Sequence, residues 1–231
     1  MKCVSVVIAA LSCLLAVPAQ AGVNVSSGSG TSALAVSTPY TVNFNGIGGN
    51  PVITIPGLNS ALTLTFTGTS AVAGNSVYSF NYSIANSSSL SGARISSFGF
   101  NVDPNVKSVS VTGGFDTGGT NVNYPVGFGK VDVCFYDGPQ GTCTGNGNGV
   151  FAPNSASGTL ALTFNGLVSD ITLSDFVDRY QGFNYQGIQS AIGIQSSVPE
   201  PATWGMMILG IGLAGGALRR KRQAVAVTTT A

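Results

Sequence analysis

Between residues 40 and 173 apolar side chains recur at every second position in short runs, separated by Gly, Asn, Asp, Ser and Pro. Tyr40, Val42 and Phe44 alternate with Thr41 and Asn43, and the run 52–55 stops at Pro56-Gly57. Leu62, Leu64 and Phe66 fall on one face of the next run, with Thr63 and Thr65 on the other. The same alternation returns in Tyr78, Phe80, Tyr82 and Ile84, and in Phe98, Phe100 and Val102. Asp103-Pro104-Asn105 turns the chain into 106–112, where Val109 and Val111 point inward. Val131, Val133 and Phe135 form a run with Cys134 on its opposite face. Leu160, Leu162 and Phe164 form another, and 171–173 a short last one. Period two bounded by turn residues is the signature of half-buried strands. About eight or nine such strands without helical periodicity predict an all-β antiparallel sandwich, jelly-roll or Ig-like. The one helical candidate is a turn at 174–179, with Ser174 as its N-cap before Asp175. Residues 22–38, rich in Ser, Gly and Ala, read as an irregular lead-in.

Both ends of the chain break this pattern. Residues 1–21 have Lys2, an apolar stretch over 4–17 and the small-x-small site Ala19-Gln20-Ala21, which together predict a cleaved signal peptide. A lipoprotein reading at Cys13 would need a lipobox, and Ala10-Leu11-Ser12-Cys13 has no Leu three before Cys. Near the other end, 202–218 is uncharged, and as a helix at ~1.5 Å per residue it would span about 25 Å. Arg219, Arg220, Lys221 and Arg222 follow and would hold their end on the cytoplasmic side. Pro199 and Pro201 stop any regular element from entering that helix, and Trp204 sits where an indole favours the interface. The organisation expected is a signal peptide at 1–21, an ectodomain at 22–197, a signal with one transmembrane helix at 198–222, and a tail at 223–231.

The order Pro199-Glu200-Pro201, Trp204, an apolar Gly-rich run and a basic cluster resembles the PEP-CTERM sorting signal in its PEPxxWA variant. Gly205 stands where that variant usually has Ala, and the tail after the basic cluster is longer than usual. The resemblance implies a Gram-negative exported protein that resides transiently in the inner membrane. An exosortase-type enzyme would then cut near Pro-Glu-Pro, leaving the domain extracellular or at the cell surface. In the body, Phe98-Gly-Phe-Asn-Val-Asp-Pro104, Val131-Asp-Val-Cys-Phe135 and Leu173-Ser-Asp-Phe-Val-Asp-Arg-Tyr-Gln181 resemble the cistern group of PEPxxWA-type proteins. That second resemblance implies no activity and carries over no catalytic residue.

Charge changes the picture by what it excludes. Only 7% of residues are charged, and residues 22–197 hold seven Asp and no Glu against Arg94, Lys107, Lys130 and Arg179. A slightly acidic body without a basic patch gives nucleic acid no foothold. The chain has no His, which removes Ser-His-Asp and Cys-His catalysis and His-ligated metals. After signal cleavage only Cys134 and Cys143 remain, and an isolated pair in an exported chain predicts a disulfide.

Paired carboxylates for glycoside cleavage are conceivable at Asp132 with Asp137, or at Asp175 with Asp178 on one helical face. Solvated turns and a helix cap explain these residues as well, and Asp178-Arg179 beside Tyr180 reads as local pairing at a strand end. Calcium could draw oxygen ligands from 116–121 and from Asp170, Asp175 and Asp178, although no EF-hand pattern orders them. Tyr136, Phe183 and Tyr185 are candidates for stacking on sugars, and sequons occur at Asn81 and Asn86. The function expected is a non-enzymatic exported protein associated with exopolysaccharide or biofilm matrix. The alternatives are a carbohydrate-binding module and, further off, a glycoside-cleaving enzyme.

Overall fold

The computed structural model describes residues 22–27, 34–138, 142–145, 148–196 and 209–212. Contacts divide the chain into a unit of residues 20–196 and a second unit of 1–19 with 197–231. In the first unit the strands are β1 (Val23–Ser26), β2 (Pro39–Gly48), β3 (Ile53–Val72), β4 (Asn75–Asn86), β5 (Arg94–Asp103) and β6 (Val106–Gly113). They continue with β7 (Thr117–Tyr124), β8 (Gly129–Tyr136), β9 (Val150–Phe151), β10 (Ser155–Phe164), β11 (Asp170–Tyr185) and β12 (Ile188–Gln195). In the second unit, residues 209–212 are helical.

All the named strands belong to one antiparallel sheet rather than to two separate ones. Its path runs β6-β10-β4-β3-β2-β12-β11-β5-β8-β7, with β1 added beside β11 and β9 beside β5. The path rolls until its ends lie together: a Cβ on Gly118 of β7 would come within 2.7 Å of Val109 Cγ2 on β6. The result is a nearly closed barrel whose two halves face each other. Tyr82 of β4 and Phe98 of β5, far apart along the path, bring their rings to 5.5 Å.

The alternating residues of the sequence supply this interior. Val42, Phe44, Leu62, Leu64, Phe66, Tyr78, Phe80, Ile84, Phe98, Phe100, Leu160, Leu162 and Phe164 are all buried. Each such side chain contributes about 1.5–3 kcal/mol. Phe115, in the β6–β7 connection, plugs the interior: its amide donates to the Tyr82 hydroxyl at 2.8 Å and its ring meets Phe98 edge-on at 5.2 Å.

Several expectations are corrected. Pro56-Gly57 does not end a strand, because residues 55–58 bulge out opposite Gly46 while β3 runs on. Gly57 takes φ 87°, and Leu58 packs where a side chain on Gly46 would be. The stretch 174–179 is not a helical turn. It lies inside β11, where a bulge between Ser174 and Val177 puts Asp175 at φ 49° and shifts the register against β5. A bulge gives the local spacing that resembles a helical turn in sequence. Residues 23–26, within the expected lead-in, pair with β11, and 117–124, where no strand was expected, form β7.

Candidate functional site

Of the sorting residues, Pro199, Glu200, Pro201, Trp204 and Arg219 to Arg222 lie outside the described residues, as do Ala19 and Ala21. Within the expected transmembrane span only 209–212 is described. Among the described residues no helix is long and apolar enough to cross a membrane.

Cys134 and Cys143 are joined by a disulfide, with Cα atoms 6.1 Å apart. Cys134 lies on the outer face of β8, opposite Gly99 of β5 and Gly119 of β7. Around it Tyr124, Val131, Cys143, Val177 and Ile192 form a second, smaller apolar cluster. One hydroxyl ties this cluster to the sheet: Ser97 Oγ donates to the Cys143 carbonyl at 2.9 Å and lies 2.8 Å from the Tyr124 hydroxyl.

The aspartates are dispersed. Asp116 accepts from the Gly138 amide at 2.8 Å and from Thr117 at 2.9 Å, and the Gly138 bond above all holds its pKa below the ordinary value. Partial burial, and then the charge of Asp116, push the Asp137 carboxyl up. Asp132 accepts from the Val102 amide at 2.9 Å, and its own amide donates to Asn101. Asn101 in turn donates to Asp175 at 3.0 Å, so these groups stitch β8 to β5 and β11. Asp170 accepts from Ser169 at 2.8 Å, far from that network. Among the described residues no three of His, Cys, Asp or Glu come together.

Asp178 and Arg179 do not pair locally, because strand alternation sends them to opposite faces. Asp178 is fully buried inside the barrel, where the Ser60 hydroxyl donates to Oδ2 and the Tyr180 hydroxyl donates to Ser60 at 2.8 Å. Burial pushes the Asp178 carboxyl up to about 7. Arg179 is buried on the outer face at 7% exposure. Its Nη2 donates to Ser190 Oγ, while Nε and Nη1 have no partner. Burial also lowers the guanidinium pKa from its ordinary value. The sequence signal for this pair is a charged dipeptide inside an apolar run: in a strand, one of the two charges must point into the core.

Beside Ser190 a polar cleft of about 610 Å³ opens between the β11–β12 hairpin and the start of β5. It is lined by Ser91, Arg94, Gln181, Gly182, Phe183, Asn184, Gln189 and Ser190. The Arg94 guanidinium lies 5.7 Å from the ring centroid of its cross-strand partner Phe151, which is 48% exposed. The three aromatic candidates pack in different places. Phe183 is buried, Tyr185 packs on the main core, and Tyr136 packs on the disulfide cluster. Asn86 of the second sequon is also buried, its amide donating to the Ala93 and Val150 carbonyls.

Comparison with curated proteins and with solved structures returns no match. Residues 197–222 match the family described as the PEP-CTERM protein-sorting motif. The chain thus carries a PEP-CTERM sorting motif, a signal that implies export and processing by an exosortase-type enzyme.

Proposed function

We propose that this protein is a non-enzymatic component of an extracellular matrix, delivered through an inner-membrane intermediate and cut near Pro199-Glu200-Pro201. The observation that carries the reading is the match of residues 197–222 to the sorting motif. The body's outer face supports a place in a hydrated polysaccharide matrix. It presents hydroxyls and amides, among them the paired Thr41 and Thr63, the paired Thr112 and Thr159, and Asn81. Such a surface stays wetted without many charges and exchanges hydrogen bonds readily with sugar hydroxyls. Resemblance to the cistern group agrees with export and adds no chemistry.

Mass spectrometry of the secreted species tests the reading. The mature chain should lack residues 204–222, and Glu200→Gln should make the uncut form accumulate in the membrane. A secreted chain that keeps Trp204 to Arg222 refutes the processing. Absence of the protein from the polysaccharide fraction of the matrix refutes the location.

A further inference from the structure

We infer that the cleft beside the β11–β12 hairpin binds a carboxylate carried on a hydroxyl-rich scaffold, an acidic sugar of the uronate type. Its lining holds one cation, Arg94, together with the amides of Gln181, Asn184 and Gln189 and the hydroxyls of Ser91 and Ser190. Among the described residues no carboxylate lines it. The body is acidic, with seven Asp against four cations, yet two of those cations gather here. Arg94 is one and Arg179, behind Ser190, is the other.

The buried cation gives the site its sign. Arg179 is removed from water and two of its nitrogens, Nε and Nη1, have no partner, so the positive potential it sends into the cleft is weakly screened. Its Nη2 donates to Ser190 Oγ, which occupies a lone pair there and leaves the Ser190 hydroxyl hydrogen to point outward as a donor. At the rim, Arg94 presents a planar fork suited to two carboxylate oxygens. Gly182, at φ 79°, keeps that place open, since a side chain there would meet Arg94 Nη1 at 2.5 Å. The neighbouring exposed Phe151 offers an apolar surface to the C–H face of a sugar ring.

An inorganic anion would use the cation and leave the amides and the ring idle. A neutral sugar would use the amides and make no charge-assisted bond to Arg94. An acidic sugar engages both sets.

Calorimetric titration of the exported protein with a uronic-acid trisaccharide, the matching neutral trisaccharide and inorganic phosphate decides between them. The uronate should bind, with the neutral sugar and phosphate each at least about tenfold weaker. Arg94→Gln should weaken uronate binding by about ten- to a hundredfold. Asn184→Ala, on an exposed side chain that leaves the core untouched, should weaken it severalfold. No uronate binding, equal binding of the neutral sugar or phosphate, or unchanged affinity in both variants would overturn the inference. Binding is measured independently of C-terminal processing, so failure here leaves the sorting reading standing, and failure of sorting leaves the cleft standing.

Discussion

Replacing Asp178 by Asn keeps the shape of a side chain held between Ser60 and Gly193 inside the barrel, and removes its ability to ionise. In the folded protein burial holds this carboxyl at about 7, against 3.8 for an ordinary Asp. The folded value is raised, so the stability it contributes is fully present below about pH 3.8 and is lost as pH rises to about 7. Across that window the unfolded chain has released the proton and the native state still holds it. Each pH unit therefore lowers the free energy of unfolding by about 1.4 kcal/mol, in total on the order of 4 kcal/mol. Above about pH 7 both states are ionised and the loss is complete.

Asn escapes this slope but brings an extra N–H donor into an interior with few acceptors, at a cost of about 1–3 kcal/mol at every pH. Asp178→Asn should thus be the less stable protein at pH 4 and equal or more stable at pH 8. Urea unfolding at pH 4, 5, 6, 7 and 8 measures the difference directly. Asp116 and Asp170, whose pKa values are lowered by their hydrogen bonds, titrate alike in both proteins and cancel. The stability of wild type minus that of the variant should fall by about 4 kcal/mol from pH 4 to pH 8. A difference that stays constant over this range would refute the account of a buried, neutralised carboxyl.

Gly193→Ala puts a methyl group onto the Asp178 carboxyl and against Phe44, and should cost about 1–3 kcal/mol in denaturant unfolding. Replacing Cys134 and Cys143 together by Ser opens a ten-residue ring and should lower stability by about 2.5–3 kcal/mol, read from the urea midpoint against the oxidised protein. Asn86→Ala takes a donor from each of the Ala93 and Val150 carbonyls, the former keeping the Ala152 amide, and leaves the Ser88 amide without its acceptor. It should cost about 2–4 kcal/mol by the same measurement, whereas Asn81→Ala on the exposed face should change little.

The strands whose alternation stands clear in the sequence, β2, β4, β5 and β10 among them, have an apolar inner face and an outer one of polar or small residues. β11 defeats that reading for two physical reasons. Its bulge breaks the period at Ser174 to Val177, and the disulfide cluster buries the outer face as well, so Phe176 to Tyr180 are all buried. A strand buried on both faces loses its alternation. β12 hides for the same reason: Ala191 packs inward and Ile192 packs outward on the second cluster. β7 hides because Thr117 to Tyr124 contains two glycines and buries only Tyr124. The disulfide is legible from two cysteines left in an exported chain. The cleft is not, because Arg94 and Asn184 meet only through the pairing of β11 with β5, and no local pattern records which strands will be neighbours.

That pairing also explains how so weakly charged a chain avoids open edges. An edge strand offers a row of unpaired backbone groups, and proteins commonly blunt it with charged side chains. With only 7% charged residues this chain has few to place, and β7 carries none. Rolling the path until β6 meets β7 removes most of the need. The connection that joins them is tied on both sides: the Gly114 amide donates to Ser157 at the start of β10, and the Asp116 amide donates to Tyr136 at the end of β8. Phe115 between them points inward and is held by Tyr82, so the seam closes from the inside. The glycines that obscure β7 in the sequence serve this closure, because Gly118 lets Val109 of β6 lie directly against it. Low charge, a glycine-rich end strand and a sheet rolled on itself are three aspects of one solution, and the polar outer face that remains is what the protein presents to its surroundings.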